Sequence, residues 1–307
     1  MSSFSSIHTA VPAFFAAGGH DEGVPFEARG IFGNDFLPFL TNSVFVAAVV
    51  TGLILWFVRG AMKNISTVPG KKQNLVEMMI EFLYGQVSNI VGPRIAPKAF
   101  PLIATIFIFV TIANWFGLMP GVGTIGFSGE KGFTPFLRPA TADMNLTLGI
   151  ALAAFVVWIF ITIREMGVWG TILHIFGPKG GMKGALKWGL MPIFLIVGVI
   201  EVVSILFRPV TLSLRLYGNV FAGENLLHAM GGLGAKYISN PFGQFLLSVL
   251  IPLPFYFLEI LVGVLQGMVF AILCTVFIKL STTHEEGHDD HGDDHGHGQD
   301  EGHKKHV

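Results

Sequence analysis

The sequence predicts an all-α, polytopic membrane protein with about five membrane helices and one interfacial amphipathic helix. Three observations carry that expectation. Of 307 residues, 52% are hydrophobic and 13% charged, with a mean hydropathy of +0.64; soluble domains carry about a quarter charged residues. The apolar residues gather into runs as long as the ~20 residues a helix needs to cross a bilayer. Lys and Arg cluster at one side of those runs, the pattern of a chain threaded with its positive loops in the cytoplasm. No room is left for a soluble catalytic domain. Cys274, the single cysteine, excludes an internal disulfide and reads as a small core residue.

Residues 1–37 form an outer N-terminal segment; its apolar patch around Ala10 to Ala17 lacks the basic flank of a signal peptide. The first span covers residues 37–58 and is followed by Arg59, Lys63, Lys71 and Lys72, which puts that end in the cytoplasm and the N-terminus outside. Residues 73–91 read as an amphipathic helix along the cytoplasmic interface, with Leu75, Met79, Phe82 and Val87 on one side. Gly92, Pro93 and Pro97 break it. A second span covers 99–118, a Gly- and Pro-rich outer loop 120–141, and a third span 144–163 before the basic residues Arg164, Lys179, Lys183 and Lys187. Asp143 is placed to cap that third helix.

The last two apolar runs, 188–230 and 242–279, are too long. Straight helices of that length measure nearly ~60 Å, about twice the hydrocarbon core. They must tilt, bend or break, and Pro192, Pro209, Pro252 and Pro254 offer the bend points. A turn at Gly231-Gly-Leu-Gly234 and Asn240-Pro241 joins them as a hairpin. Residues 38–280 thus form a single membrane domain, and 281–307 a disordered His/Asp-rich tail with too little apolar content to fold. The tail has no fixed ligand spacing, so neither a metal site nor any other cofactor is expected.

Between Leu190 and Ile278 the only charged residues are Glu201, Arg208, Arg215, Glu224, Lys236 and Glu259. Ionisable groups inside a membrane are expensive and mark function. Glu201, Arg208 and Arg215 are seven apart and share a helix face with slow drift; Asn219 lies one turn beyond Arg215. Glu201 sits ~20 Å to the cytoplasmic side of Arg215 and Glu224 ~13 Å to the outer side. Glu259 and Gln266, also seven apart, lie near the depths of Glu224 and Arg215 on the final helix. The result is two separate polar paths with a fixed cation between them. A guanidinium stays protonated, so Arg215 repels a hydronium and favours the ionised form of any carboxylate brought beside it. This chain has no mobile carboxylate, so the proton carrier belongs to a partner. Arg208 either snorkels, pairs with Glu201 or joins the path. His228, one turn after Glu224, serves a water path or the interface.

The run Leu214-Arg-Leu-Tyr-Gly-Asn-Val-Phe-Ala-Gly-Glu224 resembles the signature of subunit a of the F-type ATP synthase membrane sector. The likeness extends to Asn114-Trp-Phe-Gly-Leu-Met-Pro120, Pro139-Ala-Thr-Ala-Asp-Met-Asn145, Glu201 with Arg208-Pro, and Leu265-Gln266. The resemblance implies that Arg215 faces a rotating c-ring whose carboxylates carry the ion. It assigns Asn219, Glu224, Glu259 and Gln266 to an outer half-channel and Glu201 to an inner one. It also implies a steeply inclined helical hairpin against the ring, b-type peripheral stalk subunits as further partners, and a bacterial inner-membrane location. One departure stands out: many members pair a histidine with a carboxylate at the positions of Glu224 and Glu259, whereas here both are glutamates. Two close carboxylates titrate as a coupled pair, or His228 supplies the imidazole.

The reading is a proton-translocating stator subunit that is not itself catalytic; no Walker-type Gly-x-x-x-x-Gly-Lys-Ser/Thr run is present. Nucleic acid is not an expected partner. The alternative is a stand-alone secondary transporter, for which the spans lack facing His/Asp ligand pairs. A membrane-bound group-transfer enzyme would need paired acidic motifs in the 164–187 loop, which is mostly glycine and lysine.

Overall fold

The computed structural model describes residues 41–63, 65–66, 69–119, 122, 126–129, 132–135, 137–176, 185–237 and 240–282. The N-terminal segment and nearly all of the His/Asp-rich tail lie outside them. Seven α-helices dominate: α1 (Asn42–Ala61), α2 (Lys71–Val91), α3 (Ala96–Gly117), α4 (Met144–Phe176), α5 (Ala185–Tyr237), α6 (Pro241–Leu250) and α7 (Leu253–Thr282). Among the described residues five helical stretches are long and apolar enough to cross a membrane, the last two being Pro192–Leu233 and Phe242–Ser281.

The loop after α3, expected to be irregular, holds a small antiparallel β-hairpin, β1 (Gly126–Gly129) with β2 (Gly132–Pro135), and a 3-10 turn (Ala140–Ala142). The bundle has a β-hairpin end and an opposite, basic end with Arg59, Lys98, Arg164 and Lys279.

Local chemistry sets the helix starts. Thr41 Oγ1 accepts from Val44 N at 3.3 Å, Asp143 Oδ1 accepts from Asn145 N at 3.0 Å, and Asn240 Oδ1 accepts from Phe242 N at 3.2 Å with Pro241 following. Inside the spans, hydroxyls turn back on their own helix: Thr105 donates to Pro101 O, Thr162 to Trp158 O, Thr275 to Ala271 O and Ser281 to Phe277 O, at 2.7–3.0 Å. Each is satisfied without water, as hydrocarbon surroundings demand.

Several boundaries differ from expectation. Gly231 to Gly234 continue α5, and the turn falls after Tyr237. Pro252 separates α6 from α7, as its missing N–H requires, whereas Pro192 and Pro209 stay within α5. The third span runs on to Phe176 with one break at Gly167, whose φ of 73° only glycine adopts easily. In α2 the buried side is Val76, Leu83, Val87 and Val91, while Leu75 and Phe82 are exposed. At about 100° per residue these two sit at the flank of an apolar arc that is wider than the face the protein covers.

Helix α7 packs chiefly on α3 and α5 chiefly on α4, both antiparallel, with fewer contacts between α5 and α7. The α3–α7 contact is close because α7 presents Gly263 and Gly267, a small-xxx-small pair. A side chain at Gly267 would meet Thr111 Oγ1 at 2.4 Å and the Phe107 carbonyl at 3.2 Å; one at Gly263 would meet Asn114 Cβ at 3.2 Å. The Phe107 carbonyl cannot move without breaking its helix. Gly267→Val is therefore expected to separate α3 from α7 and to lower the amount of subunit in membranes at least about tenfold, read by immunoblot, with Gly267→Ala milder.

Three buried clusters fill the bundle. Leu83, Val87, Ile103, Phe107, Trp158, Ala271 and Ile278 join α2, α3, α4 and α7. Ile106, Val110, Ala151, Ala154, Leu212, Leu216, Phe270 and Cys274 join α3, α4, α5 and α7. Val46, Val50, Ala113 and Ala140 seat α1 and the 3-10 turn. Cys274 is buried, as its apolar setting suggested.

Candidate functional site

Helix α5 divides sharply around Arg215. Leu212, Ser213 and Leu216 are buried, whereas Thr211, Leu214, Arg215 and Gly218 are exposed. Ser213 Oγ and Thr147 Oγ1 hydrogen-bond at 3.0 Å across α5 and α4. That buried bond fixes the rotation of α5 and turns Arg215 away from the bundle. Asn219, one turn on, is half-buried beside that face.

Towards the β-hairpin end, the Glu259 carboxyl of α7 lies against Gly223. A Cβ at Gly223 would fall 1.7 Å from Glu259 Oε1 and 2.3 Å from Cδ. The structure thus brings Glu259 to the position next to Glu224. Phe270 meets Leu212 and Leu216 lower down the same pair of helices, and that register places Gln266, which is buried, near the level of Leu216 to Asn219. His228 is half-buried one turn beyond Glu224.

Towards the basic end, Arg208 turns onto aromatic rings, its guanidinium carbon 4.6 Å from the Phe277 centroid and 5.7 Å from that of Trp158. Glu201 lies within electrostatic reach of it. Trp158 Nε1 donates to Ser281 Oγ at 3.1 Å, which fixes the ring under the arginine. Arg208 and Arg215, placed on one face by their spacing, therefore end in different surroundings: aromatic for the first, open for the second. Across the surface of this end, Lys98 of α3 pairs with Glu165 of α4.

The β-hairpin end also holds polar residues to which spacing gave no part. Arg138 is 1% exposed and is the largest fully buried side chain among the described residues. It precedes the 3-10 turn, which packs among α1, α3, α4 and α5. Thr141 Oγ1 donates to Asn114 Oδ1 at 2.8 Å within the same buried region, and Trp115 Nε1 donates to Ile260 O at 3.1 Å, tying α3 to α7 just below Glu259. Glu224 Oε2 is buried without a hydrogen-bond partner among the described residues. An arginine beside a proline in a polar loop reads as solvated. The signal that could have found it is the run Leu137 to Ala142, where Arg138 is the sole charge among small and apolar residues.

These features define an all-helical, multi-pass membrane protein with ionisable side chains held at chosen depths along two long helices. Residues 41–279 match the family model described as ATP synthase A chain. The chain is similar to ATP synthase subunit a of Protochlamydia amoebophila, 32% identical over 82% of this chain and 83% of the relative. It is 36% identical to ATP synthase subunit a of Pseudomonas fluorescens, over 76% and 79% respectively. The chain belongs to the ATP synthase A chain family.

Proposed function

We propose that this chain is the stationary proton-conducting subunit of an F-type ATP synthase in a bacterial inner membrane, with the β-hairpin end outside and the basic end and the tail in the cytoplasm. It performs no covalent chemistry. Protons enter an outer half-channel past Glu224 and Glu259, pass Asn219 and Gln266, and neutralise a carboxylate of the c-ring. They leave that carboxylate into an inner half-channel near Glu201 after it has passed Arg215. Direct leakage between the half-channels is opposed by the fixed charge of Arg215. Ring rotation drives ATP synthesis elsewhere in the complex, and b-type stalk subunits hold this chain still.

The observation that carries this reading is Arg215, exposed on α5 while its neighbours Leu212, Ser213 and Leu216 are buried. A charge facing outward from a membrane span must meet another protein or water. The test is disulfide cross-linking of the whole complex in a Cys274→Ala background. Cysteine in place of Leu214 should join a cysteine placed beside the ring carboxylate, and cysteine in place of Leu216 should not. A product from Leu216 alone, or from neither position, would sink the reading.

A further inference from the structure

We propose that Ser213 and Thr147 are positioning residues for Arg215: their buried bond is the directional hold that sets the angle of α5, one turn past the point where Pro209 loosens that helix. The inference deepens the reading above and rests on it, since it says what keeps the exposed guanidinium turned towards the rotor.

Three observations converge. The first is the bond itself. Ser213 and Thr147 are both fully buried, and their hydroxyls meet at 3.0 Å between α5 and α4. Thr147 also donates to the Met144 carbonyl at 3.1 Å. A hydroxyl has one proton, so Thr147 Oγ1 is the acceptor and Ser213 the donor, and the pair is satisfied without water. The α4 side of the bond is firmly seated. Thr147 N donates to Asp143 O at 3.1 Å, Asp143 Oδ1 accepts from Asn145 N, and Ala140, Thr141, Ala142 and Asp143 are all buried.

The second observation is Pro209, inside α5 and one turn before Ser213. It has no N–H to give the Ile205 carbonyl, which weakens the helix at that turn. The third is the character of the other contacts. Leu212 and Leu216 pack in one cluster with Ala151 and Ala154 of α4. Apolar contact of this kind is non-directional and resists rotation poorly, whereas a hydrogen bond weakens steeply when its geometry is lost. Ser213 and Arg215 are two residues apart, about 200° around the helix. Holding the first inward therefore holds the second outward.

The test uses the complete complex in a Cys274→Ala background. Ser213→Ala and Thr147→Val each remove the bond with little change in side-chain volume, so the amount of assembled subunit should stay near wild type. ATP synthesis should fall about fivefold in each, the scale of one hydrogen bond between membrane helices. Cross-linking to the ring should also change. The ratio of product from Thr211→Cys to product from Leu214→Cys should shift at least about threefold, because the two positions lie about 60° apart on α5. Ser213→Ala with Thr147→Val should be no slower than the slower single variant, since both delete the same bond. Thr147→Ser keeps the hydroxyl and should recover the rate and the ratio that Thr147→Val loses. An unmoved cross-linking ratio, additive losses in the double variant, or a Thr147→Ser complex as poor as Thr147→Val overturns the proposal. Loss of assembly in both single variants does so too, since the bond would then serve folding rather than orientation. Where only one of them fails to assemble, the cross-linking ratio of the other decides. Leu214→Cys in the otherwise unaltered chain tests the rotor reading separately. No product there removes that reading, whereas a product with an unmoved ratio in Ser213→Ala removes this inference alone.

Discussion

Arg215→Ala is expected to bring ATP synthesis and ATP-driven pumping below about one per cent of wild type while the complex still assembles. A unit charge ~4 Å from a carboxylate is worth about 4 kcal/mol at an effective dielectric of 20, which corresponds to a factor of about a thousand in rate. Assembly should survive because Arg215 is exposed and makes no hydrogen bond or ion pair among the described residues; removing it opens no cavity and orphans no partner. Passive proton leak should rise in the same vesicles, since on the proposed mechanism nothing then separates the two half-channels. Coupled transport surviving at wild-type rate would make Arg215 a structural residue and end the half-channel mechanism.

Gly223→Ala is expected to slow turnover about a hundredfold with little change in the amount of assembled complex. The added methyl would lie 1.7 Å from Glu259 Oε1 and 2.8 Å from Oε2, so the carboxyl must swing away by more than an ångström. The moving group is the end of a flexible side chain, which keeps the folding cost small. If Glu259 passes protons as proposed, a displacement of that size is severe for function. Shortening the acid should make room: Gly223→Ala with Glu259→Asp is expected to recover part of the rate that Gly223→Ala loses. Proton pumping measured at equal subunit content checks both. A Gly223→Ala complex with wild-type pumping would show that the Glu259 position is not critical.

The spans were legible because hydrophobic runs and lysine clusters are one-dimensional signals. Arg215, Glu224, Glu259 and Gln266 stood out for the same reason: a polar residue in an apolar run needs no partner to be noticed. What spacing could not supply was direction. The sevenfold spacing of Arg208 and Arg215 placed them on one face, yet Trp158 and Phe277 draw Arg208 onto their rings. The apolar arc of α2 was visible, but the half of it covered by α3 and α7 was not. Arg138 was hidden because burial in a loop is decided by the helices that close over it. The Gly263 and Gly267 pair acquires meaning only when α3 lies against it.

The division of labour among the helices has a mechanical consequence. Helix α7 is fastened to α3 and α5 to α4; α5 meets the other arm of the hairpin chiefly through α6 and leans on α7 less. Between α5 and α7, Phe270 packs with Leu212 and Leu216, and towards the β-hairpin end Glu259 lies against Gly223. A polar path along that seam, as proposed, would leave the α3–α7 and α4–α5 contacts on which the bundle depends undisturbed. Such a joint is a hull seam left uncaulked on purpose, with the planks secured from behind.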